Sequence, residues 1–101
     1  MVLKIYPQLQ HAADAIEQEI GISIEEIRSD KRRHEYCVAR LLICALCYDV
    51  PTLAVSEFIN RKLSDVSYYR KTSLKKTSSD GILFGIYNRV LVRFNKIKDV
   101  Q

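Results

Sequence analysis

The 101-residue sequence predicts a single all-α domain (residues 1–101) of about six helices, on three observations. Apolar residues recur at three- and four-residue steps through most of the chain, and no stretch holds the apolar–polar alternation of a half-buried strand. Three glycines and two prolines supply too little turn chemistry for a sandwich or barrel. The composition, 48% apolar and 28% charged, is that of a folded domain with one core rather than a disordered chain. No internal repeat interrupts the pattern. No apolar run approaches the roughly 18 residues of a membrane span, and no charged-then-apolar leader opens the sequence, so the expected location is cytoplasmic.

The first helix follows from Ile5, Leu9, Ala12, Ala13, Ile16 and Ile20, which share one face, with Pro7 suited to its first turn and Gly21 to the position past its end. Ser23-Ile-Glu-Glu26 then matches a capping box and starts a short second helix, about Ile24 to Ser29. A third helix is expected from about Asp30 to Tyr48, with Lys31, Arg32, Arg33 and His34 in its first turns and Val38, Leu41, Leu42, Ala45 and Leu46 in its body. Cations at a helix start oppose the macrodipole, a conflict that phosphates would relieve. Asp49-Val50-Pro51 breaks the pattern, and Thr52 is the expected cap of a fourth helix through Ile59. After Asn60-Arg61-Lys62, Ser64 is the expected cap of a fifth helix with Val66, Tyr69 and Leu74 inward, reaching about Thr77. The segment Thr77 to Gly81 reads as a break, with Ser79 as a new cap. Ile82, Ile86, Val90, Phe94 and Ile97 form the stripe of the last helix, free either to join the core or to offer a homodimer face.

Cys37, Cys44 and Cys47 fall within one apolar stretch. Their odd number argues against a disulfide framework. Cys44 and Cys47 have a metal-like spacing, with His34 and Cys37 upstream. On one helix, however, His34 and Cys47 would lie about 20 Å apart at roughly 1.5 Å per residue, too far for one ion. Buried thiols acting as small apolar groups fit better, and no metal or other cofactor is expected.

Charge is unevenly placed within the net +4. Residues 1–30 carry two Lys/Arg against six Asp/Glu, a net −4, while residues 31–101 carry fourteen against six, a net +8. A basic remainder of this kind suits either a polyanion partner or a solvated surface. The segment 52–77 adds a more specific pattern. A helix of about seven residues, a three-residue polar turn and a second helix beginning Ser64-Asp65-Val66-Ser67-Tyr68 have helix-turn-helix proportions. Leu53, Phe58, Ile59, Leu63 and Val66 would hold the pair together. Ser64, Asp65, Ser67, Tyr68 and Lys71 would project from the second helix as groups able to read base edges. Arg61, Lys62, Arg70, Lys75 and Lys76 would flank them and supply the sequence-independent phosphate contacts.

Residues from about Ile22 to Tyr69, roughly half the chain, resemble the C-terminal DNA-binding domain of the bacterial replication initiator DnaA. Ile24-Glu25-Glu26-Ile27 and Ser29 lead into Lys31-Arg32-Arg33, and Ala39-Arg40 opens an apolar helix to Leu46. Arg61-Lys62-Leu63-Ser64-Asp65-Val66 falls where that family has arginine, aspartate, histidine, serine or threonine, threonine and valine. The resemblance implies a Trp-repressor-like helical fold that binds double-stranded DNA. It also implies DNA contacts, including the minor groove, for Arg32 and Arg33, and a position at the DNA for Arg61. Arg40 matches an arginine within the family's long helix, where an ion pair to Glu57 or Asp65 is as good an expectation as a DNA contact. The departures are specific. The family's two glycines are Ile59 and Asn60 here, and its base-reading aspartate and histidine are Lys62 and Leu63. Asp65 replaces a threonine, and a carboxylate there argues against the initiator's own box as the target. No glycine-rich phosphate loop is present, so no nucleotide and no motor activity are expected.

No convergent acid, base and nucleophile set appears. His11 is expected on a solvated face, His34 lies in the basic cluster, and the pairs Glu17/Glu19 and Glu25/Glu26 suit capping and solubility. The expectation is a non-enzymatic, stand-alone duplex binder serving replication or transcription, of a kind that phage or mobile elements carry. The alternative is a helical module or inhibitor gripping a host protein through Tyr6, Tyr36, Tyr48, Tyr68, Tyr69 and Tyr87.

Overall fold

The computed structural model describes residues 6–79 and 81–100, with the side chains of 74–79 and 100 excepted. Among these residues the chain is all-helical, with six helices and no strand. They are α1 (Pro7–Ile20), α2 (Ile24–Arg28), α3 (His34–Leu46), α4 (Thr52–Ile59), α5 (Leu63–Ser79) and α6 (Gly81–Val100). Ile5, expected on the first stripe, and the side chains of Leu74, Lys75, Lys76 and Thr77 lie outside the described residues.

The first two helices have the expected ends. Pro7 is the first residue of α1, and Gly21 ends it in the left-handed region at φ 74°. Ser23 Oγ accepts from the Glu26 amide at 3.2 Å, and Glu26 Oε1 accepts from the Ser23 amide at 2.9 Å, completing the capping box.

Later starts differ from expectation. Helix α3 begins at His34, not Asp30, so Lys31 and Arg32 lie in the connector and Arg33 is the N-cap with extended backbone. The expected clash of cations with the helix dipole is thereby relieved, and Glu35 is the acid of the first turn. Thr52 is the first residue of α4 rather than its cap; Pro51 precedes it with extended ψ. Ser64 likewise lies inside the first turn of α5, where the Lys62 carbonyl accepts from the amides of Asp65 and Val66. Ser79 is the last residue of α5, not the cap of α6.

Helix α3 forms the centre. Tyr36, Ala39, Arg40, Leu41, Leu42, Ile43, Cys44 and Leu46 are all buried, so it is enclosed on nearly every side. Helix α5 packs on α3, α4 and α6, while α1 packs on α6 and α3. Ala12, Ala15 and Ile16 of α1 are fully buried, and the two small side chains allow close helix approach. Helix α6 contributes Leu83, Val90 and Phe94 to the interior, with Ile86, Tyr87, Leu91 and Ile97 partly buried against it. Its stripe therefore joins the chain's own core. Ile82, expected on that stripe, is 80% exposed because Leu83, one residue later, takes the inward position. Arg93 of α6 pairs with Glu19 of α1, Nη2 to Oε2 at 3.1 Å, fixing the two helices at their rim.

Within the α4–α5 pair, Val55, Ile59 and Val66 are fully buried and Ser56 is nearly so. Leu53 and Leu63, expected to clamp the two helices, are instead exposed, at 58% and 50%. The buried positions Val55 and Ile59 are four residues apart on one face of α4, which turns Leu53 outward. Asn60 makes the turn between the helices with φ 57°, and its amide donates to the Glu57 carbonyl.

Candidate functional site

Four arginines position the face formed by the start of α5, the 60–62 turn and the 29–33 connector. Each binds main-chain carbonyls at the C-terminal end of a helix remote in sequence, where the helix dipole concentrates negative charge. Arg28 Nη1 donates to the carbonyls of Glu57, at 2.9 Å, and Phe58 at the end of α4. Arg40 is fully buried and donates to Ile27 O at 2.8 Å, Ser29 O at 2.9 Å, Lys31 O at 3.0 Å and Glu26 O at 3.4 Å. Arg61 Nη2 donates to Ser29 O at 2.8 Å and Lys31 O at 3.4 Å. Arg70 donates to Cys47 O at 3.1 Å, to Val50 O and to Thr52 Oγ1 at 3.0 Å, holding the end of α3 against α4.

Arg40 thus differs from expectation. Its acceptors are carbonyls rather than the carboxylates of Glu57 or Asp65, because the exposed end of α2 and the connector present four oxygens to one buried fork. Arg70 also differs. Its expected place is the phosphate flank, yet its donors point inward and its Nε is buried without a hydrogen-bond partner among the described residues. Arg61 is half-buried and combines two roles, anchoring the connector with Nη2 while lining the surface described below.

The connector and the turn are joined reciprocally. Asn60 Nδ2 donates to Arg28 O at 3.1 Å, Arg61 reaches Ser29 and Lys31, and Ser56 Oγ donates to Arg61 O. These bonds tie together two segments about thirty residues apart in sequence. Between them lies an open depression of about 410 Å³ lined by Arg32, Ser56, Glu57, Asn60, Arg61, Lys62 and Asp65. Arg32 and Lys62 are exposed, and Asp65 is half-exposed, its carboxylate with no hydrogen-bond or ion-pair partner among the described residues.

Ser64, Ser67, Tyr68 and Lys71 are all exposed and share one face of α5, Ser67 and Tyr68 lying three and four residues from both Ser64 and Lys71. Val66, Tyr69 and Ser73 occupy the opposite, inward face. Tyr68, 57% exposed, stands edge-on to Tyr69 with ring centroids 6.2 Å apart. Lys31 and Arg33 are exposed beside Arg32. The structure therefore brings Arg32, Arg61, Lys62 and Asp65 to one depression, keeps Ser64, Ser67, Tyr68 and Lys71 on an open helix face, and turns Arg70 away. The Lys75 side chain lies outside the described residues.

The connector also has an electrostatic support from below. Glu26 is held below the usual carboxylate range by the Ser23 amide, then by the Tyr36 and Ser23 hydroxyls, with Arg33 adding attraction. Tyr36 Oη donates to Glu26 Oε2 at 2.7 Å, and that bond in turn raises the phenol. Cys44 and Cys47 are buried, and burial pushes both thiols up to about 12. No group of three or more His, Cys, Asp or Glu among the described residues is arranged to hold a metal ion. Among the tyrosines, Tyr36 is buried and Tyr6, Tyr69 and Tyr87 are partly buried, leaving Tyr48 and Tyr68 exposed. His11, expected on a solvated face, is partly buried, with Nδ1 enclosed and without a hydrogen-bond partner among the described residues.

The contribution of Arg28 and Asn60 was not foreseen from sequence. Asn is one of the few non-glycine residues that visits the left-handed region, so Asn60 between two helices carried a local signal of the turn; Arg28 carried none. No described helix is long and apolar enough to cross a membrane. Neither protein-family models, nor curated protein sequences, nor solved structures match this chain.

Proposed function

We propose that this chain is a stand-alone duplex DNA-binding domain of the helix-turn-helix kind, with α4 and α5 as the motif and α5 in the major groove. One observation carries it: the basic connector 31–33 and the 60–62 turn are tied together beside a fully open face of α5. Helix-turn-helix domains combine a helix that meets base edges with cations set on the neighbouring backbone. On this reading Ser64, Asp65, Ser67 and Tyr68 meet bases, and Lys31, Arg32, Arg33, Lys62 and Lys71 neutralise phosphates. Arg61 contributes from the wall of the depression, and Arg70 acts as a brace. The likeness to the replication initiator's DNA-binding domain belongs to the same proposal, as does a role in replication or transcription.

Salt dependence tests it. Five neutralised phosphates give a log–log slope of affinity against salt of about −4 to −5. Fluorescence anisotropy with a random-sequence duplex, titrated at several salt concentrations, should return that slope. Lys62→Ala and Arg32→Ala should each weaken binding to every duplex alike and reduce the slope by about 1. Absence of duplex binding at low salt would refute the proposal. Binding of a protein partner through Tyr48 and Leu53, insensitive to salt, would place the chain in the other class.

A further inference from the structure

We infer that Asp65 is the base-selecting group of this surface: its carboxylate accepts from the N4 amino group of cytosine, so the preferred site carries a C·G pair opposite the first turn of α5. The inference rests on the duplex-binding reading and adds to it which base pair is chosen and by which atom.

Asp65 is the third residue of α5, in the turn that a helix-turn-helix presents to base edges. Its carboxylate is half-exposed on the wall of the depression and engages none of the three cations, Arg32, Arg61 and Lys62, that line the same space. An acid at such a place repels phosphates, so although it suits the dipole as the acid of the first turn of α5, at the DNA it can serve selection but not general affinity. The neighbouring cations offset that repulsion and leave two acceptor oxygens free for a donor. Glu57, the other acid of the depression, belongs to α4, the helix that in this motif crosses the backbone instead of entering the groove.

The chemistry of the groove narrows the donor to one base. Only cytosine N4 and adenine N6 offer hydrogen-bond donors on the major-groove edge. Adenine sets its N7 acceptor beside that amine, and an ionised carboxylate, which has acceptors only, is repelled by it. Cytosine has no such neighbour. A carboxylate at this position therefore matches the C·G edge, with cytosine N4 donating to Asp65, while Lys62, three residues earlier on the same depression, stays on the neighbouring phosphate.

The test is selection of sites from a randomised duplex library by the full chain, followed by titration of the selected duplex. One position should require C·G, with replacement by T·A weakening the parent about 5- to 150-fold, because thymine O4 puts an acceptor against the carboxylate. Asp65→Asn should move that position to adenine, whose N6 and N7 match an amide, and should raise affinity for random duplex by removing a repelling charge. Asp65→Ala should bind both duplexes equally, and a melting curve of each variant separates this from loss of folding. If the variants do not fold, the T·A replacement decides with the unaltered protein. A parent with no C·G-dependent position, or an Asn variant that keeps the cytosine preference, overturns the inference while leaving duplex binding intact. A parent that binds no duplex overturns both.

Discussion

Replacing Arg40 by methionine removes the fork that holds α2 and the connector while keeping most of the side-chain volume. Four carbonyls lose a donor, but not equally. Glu26 O still accepts from the Ser29 hydroxyl at 2.7 Å, and Ser29 O and Lys31 O still accept from Arg61. Ile27 O, bonded to Arg40 Nε at 2.8 Å in the interior, is the oxygen left with no donor among the described residues. An orphaned buried carbonyl costs about 1–3 kcal/mol, and weakening the charge-assisted contacts to Ser29 and Lys31 brings the expected loss to about 2–4 kcal/mol. Methionine also avoids burying a cation, which keeps the figure from being larger. For a domain of this size about 4–8 °C accompanies each kcal/mol, so the melting temperature should fall by roughly 8–30 °C. Arg40→Lys should fall between the two, since an ammonium can replace some of these bonds but not the planar fork. Thermal unfolding followed by far-UV circular dichroism measures this directly. A methionine variant melting within about 3 °C of the parent would show that the buried guanidinium does not hold the connector.

Asn60→Ala forces an ordinary side chain into the left-handed region and removes the bond to Arg28 O, a combined loss of about 1–3 kcal/mol in denaturant unfolding. Asn60→Gly should recover the backbone part only, and equal losses for the two variants would count against the assigned strain. Because the Glu26 carboxyl is lowered in the folded chain, its stabilising effect is present above the ordinary value of 4.5 and is lost as pH falls through the folded value. Glu26→Gln should therefore flatten the acid limb of the stability–pH profile, and an unchanged limb would remove Glu26 from that role. Cys44 and Cys47, buried and raised to about 12, should resist a thiol reagent at pH 8 in the native protein while Cys37 reacts first, and all three should react in denaturant. Labelling of Cys44 as fast as Cys37 would contradict the packing around α3.

The helices were legible because their causes are local. Pro7, Gly21 and the Ser23–Glu26 box act within one or two turns, and they placed α1 and α2 correctly. The three-residue turn at 60–62 was legible for the same reason, being bounded by two apolar patterns. The starts of α3, α4 and α5 were less so: Asp30, Thr52 and Ser64 can all cap a helix, and tertiary contacts chose other residues. Thr52 Oγ1 instead accepts from Arg70, eighteen positions away.

By itself the sequence determined that the chain is helical, that its positive charge follows residue 30, and that an exposed polar face opens α5. Periodicity and charge count are properties of order along a chain. Only the tertiary structure decided what the arginines do. In sequence Arg28, Arg40, Arg61 and Arg70 are four cations of equal standing with Arg32 and Lys62. Folding places the first four against main-chain carbonyls at or just past helix ends, burying Arg40 fully and Arg61 and Arg70 in part so that their donors must find acceptors, and leaves Arg32 and Lys62 exposed at the rim. The deciding partners are the bare ends of other helices, which a side chain meets only after the helices have packed.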